Sequence, residues 1–214
     1  MTLIVGMHCG DHLLLSADSG VYDDATGKVD EAVKLAHGGS FAWGFGGYED
    51  LGDQFHNWMR AEHWRLSRLR DWQAALSEIQ TIAGRINAER RMRMREAGVD
   101  LSGPLEWNNF LHSIVAGYVG SEGMVVSIDH EGALRRASTV SGSIVPVGVE
   151  AAAGGAYTFL KQKNRWANNQ DSLDALMELA ITNSRPDENL RFPVRMLRVD
   201  GEQVTEAVAR RVVA

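Results

Sequence analysis

The chain opens on a short apolar, β-branched run over residues 2–7, and a second apolar run follows over residues 13–17. Between them His8-Cys9-Gly10-Asp11-His12 carries turn residues, so the pattern predicts a β-hairpin at the extreme N-terminus. Asp18-Ser19-Gly20 breaks the second strand, and residues 33–36 and 40–45 form a further expected strand pair around Gly38-Gly39. From Glu49 the period becomes helical. Leu51, Phe55, Trp58, Met59 and Leu66 recur on one face, and a second helix with Asp71 as N-cap turns Leu76, Ile79, Ala83 and Ile86 inward before fading ahead of Gly98. Residues 99–109, with Gly103-Pro104, read as a loop or insertion. Strands are expected again at 110–119, 124–129 and 133–139, helices at 148–163 and 172–184, and closing strands at 192–199 and 203–208. Strands, two helices, strands and two helices in that order imply packed sheets with helices on both outer faces, an α+β fold built as a four-layer α/β/β/α sandwich.

Composition narrows the classes of function. With 214 residues, 44% of them hydrophobic, and 22 glycines spread along the chain, residues 1–214 are expected to form one domain without linker or repeat. A net charge of -6 would repel a phosphate backbone, so nucleic acid is not an expected partner. A single cysteine, Cys9, leaves no intrachain disulfide and fits a reducing cytoplasm. No apolar run approaches the roughly 20 residues that span a bilayer, and no basic region followed by an apolar stretch opens the chain. The expectation is a protein without membrane attachment that begins almost where translation does.

That expectation gives Thr2 its interest. A threonine hydroxyl is a poor nucleophile unless a base adjoins it, and a free α-amine on the same residue, with a reference pKa near 8, supplies one once Met1 is removed. Asp18 and Lys34 fall at the end of the second expected strand and near the start of the third, where adjacent strands bring them toward the first residue. A lysine there would lower the pKa of the amine and hydroxyl, and an aspartate would orient that lysine. His8 and His12 lack a third ligand at metal-binding spacing, so neither a metal nor another cofactor is expected. Arg85, Arg90, Arg91, Arg93 and Arg95 are interleaved with Glu89 and Glu96 and read as a solvated helix face or a subunit contact. Trp64 and Trp72 read equally as interface anchors and as partly buried side chains.

The opening TLIVGMHCGDHLLLSADSG and the following AVKLA resemble the start of proteasome β-subunits and HslV-type peptidases, where an N-terminal Thr, an Asp and a Lys stand at this spacing. WGFGGYED is similar to the glycine-rich strand end and helix start of those proteins, and VVSIDHEGALRRASTVSGS to the strands leading into their Ser-Gly-Ser motif. The resemblance implies a sandwich of the N-terminal-nucleophile (Ntn) hydrolase type and a threonine peptidase with Thr2 as nucleophile and Asp18 and Lys34 as its charged support. It further implies Ser141 near the threonine amine, Asp187 as a second aspartate, and Gly44 or alternatively Gly47 as the oxyanion glycine. Three residues after Asp187, where the family usually has serine, stands Leu190. The implied setting is a homo-oligomeric ring whose chamber admits unfolded polypeptide or peptide, with an ATP-dependent unfoldase as a further partner. A non-catalytic ring scaffold and an amidase or transpeptidase with a specific ligand are the alternatives.

Overall fold

The apolar pattern of the first residues does form a hairpin: β1 (Leu3–His8) and β2 (Leu13–Ala17) pair antiparallel with Ile4 opposite Ala17 and His8 opposite Leu13. The computed structural model describes residues 2–23, 28–31, 33–102, 107–185, 189–201 and 203–207. The chain continues through β3 (Gly20–Asp23), β4 (Lys28–Glu31), β5 (Leu35–Gly38), β6 (Phe41–Gly46), α1 (Glu49–Leu66) and α2 (Trp72–Glu96). A short 3-10 turn at Trp107–Asn109 precedes β7 (His112–Val119), β8 (Glu122–Ile128), β9 (Leu134–Ser138) and β10 (Ile144–Gly148). The last elements are α3 (Glu150–Gln162), α4 (Gln170–Thr182), β11 (Arg195–Asp200) and β12 (Gln203–Ala207).

These strands make two antiparallel five-stranded sheets, in the orders β10-β1-β2-β11-β12 and β5-β6-β7-β8-β9, and β3 and β4 form a separate two-stranded ribbon. Every residue of β1 is buried, because successive side chains point to opposite faces and both faces are covered. Leu3, Val5 and Met7 meet Leu173, Leu176 and Met177 of α4. Ile4 points the other way, into a layer shared with Ala42, Ile114 and Val125 of the second sheet. On that sheet's other face Trp43, Val115 and Val126 meet Phe55 of α1 and Ile79 and Ala83 of α2.

The fold class expected from the sequence, a four-layer α/β/β/α sandwich of the Ntn-hydrolase type, is corrected: the described residues form two antiparallel five-stranded sheets, a two-stranded ribbon and four helices. Apolar periodicity reports which face of an element is buried, but not how the elements stack, and it missed three strands. β3 begins at Gly20, where the sequence reads as a break, and β4 falls in a stretch for which no element was expected. β10 carries Pro146, which argues against a strand, yet β10 is an edge strand of its sheet, where a missing N–H is tolerated.

The helices follow their signals closely. Asp71 caps α2, accepting a hydrogen bond from Ala74 N at 2.9 Å. Trp72 is buried and donates through Nε1 to the Glu122 carbonyl at 2.8 Å, whereas Trp64 near the end of α1 is 62% exposed. Within the arginine cluster, Arg91 donates to the His130 carbonyl and lies over the Phe110 ring, so it ties α2 to the second sheet.

Asn87 anchors the start of β7. Its fully buried amide donates from Nδ2 to the Leu111 carbonyl at 3.0 Å and accepts from Leu111 N at 2.8 Å. Asn87→Ala leaves both backbone groups unpaired in the interior and should lower stability by about 1–3 kcal/mol. Urea denaturation checks this, as a reduced midpoint with an unchanged slope.

Candidate functional site

Because the hairpin returns the chain to its start, the residue after β2 lies beside the first residue of β1. Asp18 N donates to the Leu3 carbonyl at 3.1 Å, and Asp18 Oδ1 accepts from Leu3 N at 2.8 Å. The same oxygen accepts from Lys34 Nζ at 2.8 Å, and Oδ2 accepts from Gly20 N at 2.9 Å. Asp18 is 1% exposed and Lys34 6%, so this is a buried ion pair. Such a pair recovers the cost of leaving water only when its remaining lone pairs are satisfied, and two backbone N–H groups do that here. Burial pushes the Lys34 ammonium below the ordinary lysine pKa, while the charge and hydrogen bond of Asp18 oppose the fall. Sharing Oδ1 places the ammonium within two hydrogen-bond lengths of the amide that follows Thr2.

Thr2 itself is held from both directions. Its carbonyl accepts from Val149 N at 3.1 Å, at the junction of β10 and α3. Gly148, with φ of 95°, adjoins that carbonyl so closely that a Cβ would stand 1.7 Å from the Thr2 oxygen. The Thr2 side chain faces Gly46 at the end of β6, where a Cβ would come within 3.2 Å of Thr2 Cβ and 2.4 Å of Trp107 Cη2. Only glycine lets the three groups meet.

Trp107 stacks on His112, with ring centroids 4.4 Å apart and planes 16° from parallel. His112 stands opposite Gly46 in the β6–β7 ladder and so shares its face of the sheet. It is 4% exposed, and its Nε2 has no hydrogen-bond partner among the described residues. Burial, reinforced by the charges of His130 and Arg135, lowers its pKa to about 4, so the ring is neutral at pH 7.

Of the residues nominated from the sequence, Thr2, Asp18 and Lys34 stand together. Gly44 lies two residues before Gly46 and faces Leu35, Ile4 and the Lys34 carbonyl between the sheets. Gly47, with φ of 107°, begins the turn into α1. Ser141 does not join the group and is corrected. β10 runs antiparallel to β1 with Gly148 opposite Leu3 and Ile144 opposite Met7, and Gly142 N donates to the His8 carbonyl. Ser141 is thus at the far end of β1, about 20 Å from Thr2 at the usual rise per strand residue. There it accepts from Asn168 Nδ2 at 2.9 Å. Asp187 lies outside the described residues. Leu190 is buried in the apolar layer beneath α3 and α4.

Sequence reasoning missed Gly46, Trp107, His112, Gly148 and Val149. The alternation of Gly44 and Gly46 on one strand face was the available signal for the first. Among the described residues no group of three or more His, Cys, Asp or Glu side chains is placed to hold a metal. His8 Nδ1 accepts from Gly10 N, and His12 Nδ1 lies 2.6 Å from Asp11 Oδ1. Burial and the nearby Asp11 charge raise the Cys9 thiol to about 12, which keeps it protonated. No described helix is long and apolar enough to cross a membrane.

No protein-family model matches the chain, and no curated protein does. Solved structures do. A Gly-1 mutant of Anbu from Hyphomicrobium sp. strain MC1 superposes with a TM-score of 0.71 at 15% identity, over 99% of this chain and 88% of that one. The chain shares its fold with Anbu. Anbu from Yersinia bercovieri, described as an ancestral beta-subunit, gives a TM-score of 0.69 at 10% identity, over 95% of this chain and 86% of that one. The resemblance to proteasome β-subunits and HslV-type peptidases is corrected accordingly: the structural likeness is to Anbu, a proteasome-like but distinct family.

The His112 geometry sets a pH dependence. Its folded pKa, about 4, lies below the ordinary histidine value of 6.5, so between those values the unfolded chain binds the proton and the folded one does not. Stability should therefore fall as pH drops from 6.5 toward 4, by up to roughly 3 kcal/mol from this one group. His112→Phe, which keeps a ring under Trp107, should lose that part of the slope when denaturation is measured across the same range.

Proposed function

We propose that the chain is a threonine-type hydrolase acting on peptide or amide bonds, with Thr2 as nucleophile once the residue before it is removed. The observation that supports this reading is the single carboxylate oxygen of Asp18 shared between Lys34 Nζ and the amide next to Thr2. A positive charge fixed there favours the neutral amine and the ionised hydroxyl of the first residue. In the reaction Thr2 Oγ attacks the substrate carbonyl while the Thr2 amine takes the hydroxyl proton. The amine then returns that proton to the leaving nitrogen as the C–N bond breaks, and water attacks the resulting ester to release the acid and restore the hydroxyl.

The Anbu description as a beta-subunit supports assembly with further copies of this chain, and we extend the reading to a ring that receives unfolded polypeptide or peptide. An unfoldase that delivers such chains belongs to the same reading. The absence of a transmembrane helix among the described residues and the single cysteine support a cytoplasmic setting.

Two measurements test the nucleophile. A β-lactone or vinyl sulfone should add one label at Thr2 in the wild type and none in Thr2→Ala; equal labelling of the two would place the nucleophile elsewhere. Intact mass of the same preparation reads whether Met1 is retained, which would block the amine and favour the non-catalytic scaffold. Lys34→Ala should cut turnover per folded molecule by about two orders of magnitude, the size of effect expected from one preorganised charge. It also strands the Asp18 carboxylate, so its stability should fall by roughly 3–5 kcal/mol, readable in thermal or urea unfolding.

A further inference from the structure

Trp107 stands in the Thr2 site with no part in the acyl transfer described above. Its Cη2 reaches the same glycine, Gly46, that touches the Thr2 side chain, so the indole tip lies on the Cβ and Cγ2 side of Thr2. The indole is backed rather than free. One face lies against His112 at 4.4 Å, and His112 is buried on β7, with His130 5.5 Å beyond it. Retreat of the indole would require moving a residue of a central strand in a packed sheet, and interiors packed at crystal density resist that. Anchoring continues one residue earlier, where Leu111 is clamped by the Asn87 amide. The Thr2 side chain is thus packed beside a rigid apolar surface.

An acyl group brought to Thr2 on that side meets the indole. We propose that Trp107 is a specificity-determining residue of the Thr2 site, a fixed wall that admits acyl residues with small side chains, glycine or alanine, and turns away leucine and phenylalanine. The inference rests on the Thr2 reading. Steric exclusion of this kind is strong because extra atoms have no space to enter, whereas the wall gains little from the small group it accepts.

The test uses the full chain and peptide vinyl sulfones that differ only in the residue next to the electrophile, alanine, leucine or phenylalanine. The rate of mass addition at Thr2 is followed for each. In the wild type the alanine probe should react about tenfold or more faster than the phenylalanine probe. Trp107→Ala should bring the phenylalanine probe to within about threefold of the alanine probe, and Trp107→Phe, which keeps a ring on His112, should fall between. If Trp107→Ala fails to fold, the ordering in Trp107→Phe decides. Equal rates for the three probes in the wild type, a preference for phenylalanine, or an unchanged ordering in the variants overturns the wall and leaves Thr2 as nucleophile. Absence of any label at Thr2 from every probe, in wild type and variants alike, overturns the nucleophile and the wall together.

Discussion

A buried carboxylate with three N–H groups aimed at it governs the geometry around Thr2. Asp18 follows β2 in the first sheet, and Lys34 precedes β5 in the second, so their ion pair joins the two sheets at one end. The same carboxylate holds Leu3 N and Gly20 N, which fixes the entry to β1 and the exit toward the ribbon. No single partner can be removed cheaply, because each departure leaves a charge or a donor stranded where water does not reach. The position of the first threonine is thus set by electrostatics at its back and by close packing at its front.

The front depends on missing side chains. Gly46 lets Thr2 and the Trp107 ring approach one backbone, and Gly148 lets β10 pass against the Thr2 carbonyl. Where a hydroxyl was expected to support the amine, the turn from β10 into α3 presents Gly148 and Val149, whose backbone adjoins the Thr2 carbonyl. Among the described residues of the site the charged pair is Asp18 and Lys34, and Gly46, Trp107 and Gly148 meet Thr2 by close packing.

The placing of Ser141 shows what sequence resemblance leaves out. A Ser-Gly-Ser motif was matched without the strand that follows it, since no strand was expected between residues 139 and 148. Once β10 is present and antiparallel to β1, its start must lie at the far end of β1 and its end at Thr2. Five residues of strand carry the chain from one end of the sheet to the other, and the residue that arrives is Gly148. Trp107 escaped notice for the opposite reason: it sits in a segment whose polar composition and Gly-Pro pair read only as loop.

Along the chain itself, the helical and strand periods, the Asp71 cap and the hairpin were determined locally, by residues within a few positions of one another. The approach of Asp18 to the first strand belongs to the same class, since an antiparallel hairpin fixes which residue returns to the start. Lys34 was legible through its spacing. Tertiary structure alone decided the stacking of the sheets, the ribbon, the edge position of β10 and the meeting of Gly46, Trp107 and His112 around Thr2. Those contacts join residues tens of positions apart, and their energy comes from packing and from charge removed from water. A linear pattern of apolar and polar residues encodes neither.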